Sequence, residues 1–125
     1  MTDKHIATLH DICMAYPDTD EVWEGSVGKP VWKVNGKIFA MQHPMDGNPS
    51  VWLKAMPGIQ EALIATNPER WFRPPYVGHK GWIGAWLDDD TLWPEIDDLV
   101  DDSWRMTAKK TQVKALDAQR AERAS

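Results

Sequence analysis

Two β-prone runs joined by Asn35-Gly36 place the strongest constraint on the fold of this chain. Residues 31–34 (VWKV) and 37–40 (KIFA) are rich in β-branched and aromatic side chains. The dipeptide between them suits a type I′ turn, in which both central residues take positive φ. Since so short a connection joins only antiparallel neighbours, the sequence predicts an antiparallel hairpin over residues 31–40.

Helical and strand patterns alternate along the rest of the chain. Apolar residues recur at helical spacing or in short β-prone runs, and Pro, Gly and Asn separate these segments. Short connections between strands favour an antiparallel sheet with helices on one face. The predicted fold class is therefore α+β, a two-layer sandwich. The predicted helices span 3–15, 59–67 and 92–104, and the other predicted strands span 21–24, 50–55 and 81–87.

The 125 residues of the chain are enough for one domain and too few for two sizeable cores. Cys13 is the only cysteine, which excludes an internal disulfide framework. No apolar run approaches the length of a membrane span, and the first residues lack the apolar core of a signal peptide. We expect a cytoplasmic protein with one domain over residues 1–114. Residues 115–125 are predicted to form an exposed helical tail that is prone to fray.

Charge is unevenly distributed along the chain, whose net charge is −5. Residues 29–80 carry seven basic and three acidic side chains, whereas residues 88–102 carry eight acidic and no basic ones. Residues 103–125 are basic again, with six basic and two acidic side chains. A polyanion can bind one face of such a protein, but a uniformly basic nucleic-acid coat is excluded.

Several segments together resemble the MmcQ/YjbR-like family. These are the hairpin, the strand SVWLKA (50–55), and the segments PYVGHKGWIGAWLD (75–88) and EIDDLVDDSWRMTAKK (95–110). The resemblance covers roughly residues 3–114 and implies a double-wing α+β fold related to the CyaY/frataxin-like sandwich. The family is commonly described as DNA-binding, and it offers no agreed catalytic set. This chain departs from the family in its abundant tryptophans and in the acidic run over 88–102.

The lysines around the hairpin turn are the first candidates for contacts with phosphates. The hairpin would act as one wing and the Pro- and Gly-rich loop over 74–81 as a second, with an aromatic side chain stacking on an unpaired base. Exposed lysines also keep an outer sheet face soluble and deter edge pairing, so both interpretations stay open. The predicted nucleic-acid-binding residues are Lys33, Lys37, Lys54, Lys80, His79 and Trp32, and the predicted partner is DNA, bound weakly and with little sequence specificity.

A different class of function would use the tryptophans. Trp32, Trp52 and Trp86 are predicted, in this alternative, to line a concave sheet face that binds a small apolar ligand or a protein. The histidines and Cys13 show no metal-ligand spacing, and Cys13 falls on the apolar stripe of the first helix. Paired aspartates on the acidic helix are typical of a solvated face, and weak cation binding there stays open as a third alternative. We therefore predict a non-enzyme without cofactor or metal, acting as a monomer or weak homodimer.

Overall fold

A computed structural model describes residues 2–24 and 29–124, and within these residues six strands form one antiparallel sheet. The strand order is β1-β2-β3-β4-β6-β5, and four α-helices accompany the sheet. The predicted α+β class is confirmed. The elements are α1 (Thr2–Met14), β1 (Thr19–Glu24), β2 (Lys29–Val34), β3 (Lys37–Gln42), β4 (Ser50–Leu53), α2 (Ile59–Thr66), β5 (Trp71–Phe72), a short 3-10 helix (Gly78–Lys80), β6 (Ile83–Trp86), α3 (Trp93–Thr107) and α4 (Lys110–Ala124).

The hairpin predicted from the sequence is present. Asn35 and Gly36 take φ values of 56° and 73°, as a type I′ turn requires, and Val34 pairs with Lys37 across it. The register shifts one residue further along, between Trp32 and Lys33, which leaves Phe39 as an extra residue in β3. Such a bulge increases the local twist of the pair.

One face of the sheet packs against the helices. The cross-strand row of Trp32, Ala40, Leu53 and Ile83 belongs to a single buried cluster with apolar side chains of α1, α3 and α4. Trp104 of α3 is fully buried within this cluster. The next row along the strands points to the opposite face, because side chains alternate along a strand. The helices therefore cover the face that carries Trp32.

The opposite face carries an aromatic layer centred on Gly84. Trp52 and Phe72 pair with Gly84 from the two neighbouring strands. The Phe72 ring lies over the glycine, since a Cβ at position 84 would come within 2.4 Å of ring atoms. Phe72 also packs against Trp86 with ring centroids 4.5 Å apart, and His43 stacks on Trp52 at 4.3 Å. The short strand β5 was not predicted, because two residues give no periodicity.

Ser103 attaches α3 to two strands of the sheet. Its side chain is fully buried; its hydroxyl donates to the carbonyl of Phe39 and accepts the backbone N–H of Lys54 at 3.0 Å. Without the Ser103 hydroxyl, the Phe39 carbonyl and the Lys54 N–H would each lose this hydrogen bond. The hydroxyl therefore fixes where the helix crosses β3 and β4.

The C-terminal helix α4 packs more firmly than the predicted exposed tail over residues 115–125. The helix continues through Ala124, with most side chains exposed, but Leu116 is buried. The Arg120 guanidinium pairs with Asp101 of α3 at 2.7 Å, and Arg105 bridges Asp101 and Asp117. Single polar contacts of this kind leave no periodic pattern in the sequence. Ser125 lies outside the described residues.

We expect Ser103→Ala to lower the free energy of unfolding by about 1–3 kcal/mol, because a buried carbonyl loses its donor and a buried N–H its acceptor. Urea denaturation followed by tryptophan fluorescence measures the change. Thr111→Ala, on the exposed surface of α4, is the control and should stay within about 0.5 kcal/mol of the parent. Equal effects of the two substitutions would contradict the role given to Ser103.

A second prediction concerns Asp101. Burial alone would raise the pKa of its carboxyl, but hydrogen bonds from Arg105 and Arg120 outweigh burial and hold that pKa below its usual range. A lowered pKa in the folded state stabilises the fold above the unfolded pKa of about 3.9, and this contribution disappears as pH falls through the folded value. Asp101→Asn should therefore be less stable than the parent at pH 7, with the difference shrinking at pH 3.

The measurement is urea denaturation at both pH values. Asp102→Asn is the matched control, because Asp102 is exposed on the same helix. A stability difference for Asp101→Asn that stays constant from pH 7 to pH 3 would contradict the assignment.

Candidate nucleic-acid interface

Lys54 lies at the centre of a group of cations on the helix side of the sheet. It follows β4 directly, and its ammonium donates to the hydroxyl of Thr107 at 2.9 Å. Burial lowers the pKa of Lys54, and the positive charges of Lys37 and Lys80 lower it further. Lys37 and Lys80 therefore both add to the positive potential at Lys54.

The hairpin turn supplies Lys37. Its partner across the turn is Val34, a buried residue of the helix-side cluster, so Lys37 belongs to the same side of the sheet as Lys54. The Lys37 side chain is exposed. The turn itself is attached to α4, because the Asn35 side chain exchanges two hydrogen bonds with Gln112, at 2.8 and 2.9 Å. The turn of the hairpin is therefore held against α4 by side-chain hydrogen bonds.

A buried glutamine positions Lys80 and His79. Both residues lie on the short 3-10 helix and are exposed. Gln60 of α2 donates from its side-chain nitrogen to the carbonyls of Gly78 and Trp82, at 2.8 and 2.6 Å. These bonds hold both ends of the turn that carries His79 and Lys80. Sequence reasoning missed Gln60, because a lone glutamine in an amphipathic helix carries no signal.

An open groove of about 410 Å³ runs between this turn and the start of α2. Its lining includes Arg73, His79 and Lys80 together with the start of α2, Met56 and Met106. The Arg73 side chain lies against Gly78, where an added Cβ would come within 2.5 Å of it. We call the surface formed by Lys37, Lys54, Arg73, His79 and Lys80 the basic patch.

Two of the predicted interface residues do not belong to the basic patch. Trp32 is fully buried on the helix side and donates its indole N–H to Glu21 at 2.9 Å, so its predicted stacking on a base is wrong. Lys33 is the next residue along β2 and therefore lies on the opposite face, paired in register with Asp20. Strand alternation separates Lys33 from Lys37, which sequence proximity had suggested as its partner.

The tryptophan face proposed as an alternative is also divided. Trp52 and Trp86 lie on the face opposite the helices, whereas Trp32 faces them. Trp52 is only 2% exposed, and its indole N–H donates to Ser50 at 3.1 Å. The three rings therefore do not line one concave surface.

Residues 2–24 and 29–124 contain neither a candidate membrane-spanning helix nor a candidate metal site. No helix of this part of the chain is both long and apolar enough to cross a membrane. Nor does it contain a group of three or more His, Cys, Asp or Glu side chains placed to hold a metal ion. The one cysteine, Cys13, is fully buried, and burial raises the pKa of its thiol. A buried, protonated thiol is a poor nucleophile.

A family model named YjbR matches residues 14–106 of the chain. The chain belongs to the YjbR family. The resemblance predicted from the sequence is therefore confirmed. This YjbR-family protein is 26% identical over 100 residues to an uncharacterized protein, YbdF, of Escherichia coli O157:H7, with 79% of this chain and 80% of YbdF covered. Its fold is similar to the crystal structure of the DUF419 protein DR2400 of Deinococcus radiodurans, with a TM-score of 0.72, 20% identity, and coverage of 86% and 84% of the two chains.

In this YjbR-family protein, the effect of the neighbouring positive charges on Lys54 can be measured through the pKa of Lys54. Removing either neighbouring charge, by Lys37→Gln or Lys80→Gln, should raise the pKa of Lys54 towards its ordinary value, because the repulsion that favours the neutral amine is reduced. An NMR titration of the lysine side chains measures the pKa. Lys29→Gln, at the end of β2 far from the turn, is the control. An unchanged Lys54 pKa in both variants would show that the three lysines do not act on one another.

Proposed function

We propose that this YjbR-family protein binds nucleic acid through phosphate contacts on the basic patch. The observation that carries the proposal is the position of Lys54, which is held by Thr107 of α3 and lies within the electrostatic influence of Lys37 and Lys80. Cations grouped at short range attract a polyanion, and each phosphate neutralised releases counterions.

The parts of the basic patch differ in rigidity. Lys54 is held by Thr107, and the turn carrying His79 and Lys80 is held by Gln60. A hydrogen-bond donor that is already fixed by contacts within the protein loses less side-chain entropy when it binds a phosphate. Lys37 and Arg73 are exposed and extend the same surface. Because phosphate contacts carry no sequence information, binding of this kind has low sequence specificity.

Acidic side chains limit the length of nucleic acid that the basic patch can contact. Glu61 lines the same groove as Lys80, and α3 carries Glu95, Asp98 and Asp102 further along. A phosphate chain extending in that direction meets like charges, which costs free energy. The expected footprint therefore spans about three or four phosphates.

The alternative, a non-catalytic ligand-binding or protein-interaction module, has one supporting observation. The ring pairs His43–Trp52 and Phe72–Trp86 form an aromatic layer on the face opposite the helices. Phe72 and Trp86 of this layer are half-buried, and partly exposed aromatic rings of this kind bind apolar partners with little dependence on salt. Salt dependence therefore separates the two candidate functions.

With about four phosphate contacts, the logarithm of the binding constant should fall against the logarithm of salt concentration with a slope of about −3 to −4. Fluorescence anisotropy of a labelled duplex and a labelled single strand, at roughly 50 and 200 mM salt, should then show affinity falling on the order of 100-fold. The double variant Lys37→Gln/Lys80→Gln should lose two contacts and bring the slope close to about −2.

The matched control is Lys29→Gln/Lys33→Gln, which removes the same charge from β2 on the face opposite the helices. It should reduce affinity far less than the double variant in the basic patch. Equal losses from the two double variants would mean that the interface lies elsewhere or that attraction is non-specific. Absence of binding at the lower salt concentration would end the nucleic-acid proposal.

A further inference from the structure

A second groove lies between α2 and α3, next to the groove of the basic patch but opposite to it in charge. Ile59, Leu63 and Leu99 line it with apolar surface, and Glu95, Asp98 and Asp102 line it with carboxylates. Its volume is about 280 Å³, and it is open to solvent. We call it the acidic groove, and we propose that it docks a cationic amphipathic helix of a partner protein.

The apolar surface of the acidic groove has the form that such a helix needs. Ile59 and Leu63 are one turn apart on α2 and are half-buried, while Leu99 approaches them from α3. The groove between α2 and α3 is open to solvent, so the side chains of another helix can pack into it. The apolar residues at every third or fourth position of an amphipathic helix fit this kind of groove.

The carboxylates form a stripe along one side. Glu95, Asp98 and Asp102 are separated by three and four residues, so they lie on one face of α3 over about two helical turns, or roughly 10 Å. Lysines or arginines at the same spacing on a partner helix would lie opposite them. The positions of these charges select a cationic partner and disfavour nucleic acid.

Asp101, a neighbour of these carboxylates on α3, has two cationic partners. Asp101 pairs with Arg105 and Arg120 and accepts a hydrogen bond from Tyr16. Within the described ranges 2–24 and 29–124, no lysine or arginine pairs with Glu95, Asp98 or Asp102. Like charges at this spacing repel along a helix. A cationic helix in the groove relieves that repulsion, which favours binding.

The basic helix of this same chain does not fill the acidic groove. Helix α4 packs elsewhere on α3, where Arg120 reaches Asp101 and Leu116 is buried. Docking α4 of a second copy would require breaking these contacts in that copy. The groove therefore fits a helix from another protein better than self-association.

The test uses a fluorescein-labelled 15-residue peptide of leucine and lysine, with leucines at helical spacing on one face. A peptide of the same composition in scrambled order, and one with glutamate in place of lysine, are the probe controls. We expect the amphipathic cationic peptide to bind at least about 10-fold more tightly than the scrambled one, because only it presents a continuous apolar face. The glutamate peptide should not bind.

The double variant Asp98→Asn/Asp102→Asn should weaken binding of the amphipathic peptide about 10-fold, whereas the matched control Asp89→Asn/Asp90→Asn, exposed and outside the groove, should leave it unchanged. Leu63→Ser should weaken it as well, with folding checked by urea denaturation. Equal affinity for the scrambled peptide, or equal effects of the two aspartate pairs, would overturn the proposal. Dimerisation in sedimentation that Asp98→Asn/Asp102→Asn abolishes would overturn it in favour of a second copy.

Discussion

The buried hydroxyl of Ser103 connects the helix layer to the sheet at the point on which the basic patch depends. It bonds to the backbone of Phe39 in β3 and of Lys54 after β4, so it fixes the crossing of α3 over both strands. The same helix then brings Thr107 within reach of the Lys54 ammonium. The Ser103 hydroxyl thus fixes how α3 packs on the sheet and where Lys54, a candidate phosphate-binding residue, lies.

Different sides of α3 contact or carry different charged groups. One side of the helix carries Asp101, whose charge is compensated by arginines of α3 and α4, and that side serves the fold. Another side carries the carboxylates of the acidic groove, and the C-terminal end meets the lysines of the basic patch. The net charge of −5 hides this arrangement, because it averages surfaces that face different directions. Local potential, rather than net charge, determines which partner each surface attracts.

Local chemistry made the hairpin predictable, whereas the three-dimensional pairing of side chains did not follow from the sequence. The Asn35-Gly36 turn needed only knowledge of backbone conformation. Trp32 and Lys33 were predicted to share a surface with Lys37 and do not, because alternation shows that neighbours face opposite sides but not which side the helices cover. Lys80 acts on Lys54 although the two are far apart in sequence, and this could be inferred only once the sheet order is known. Gln60 and Ser103 each act through two long-range hydrogen bonds, which leave no pattern along the chain.

The close approach of Phe72 to Gly84 implies that the side chains at these two positions compete for the same volume. The ring occupies the volume that any side chain at position 84 would need, since ring atoms lie 2.4 Å from where a Cβ would be. A larger residue at position 84 therefore fits this sheet only if a smaller residue replaces Phe72. Conversely, an aromatic residue at position 72 requires glycine at position 84. Among related sequences, the sizes of these two residues should vary in opposite directions, which would make this pair a marker of how β5 attaches to the sheet.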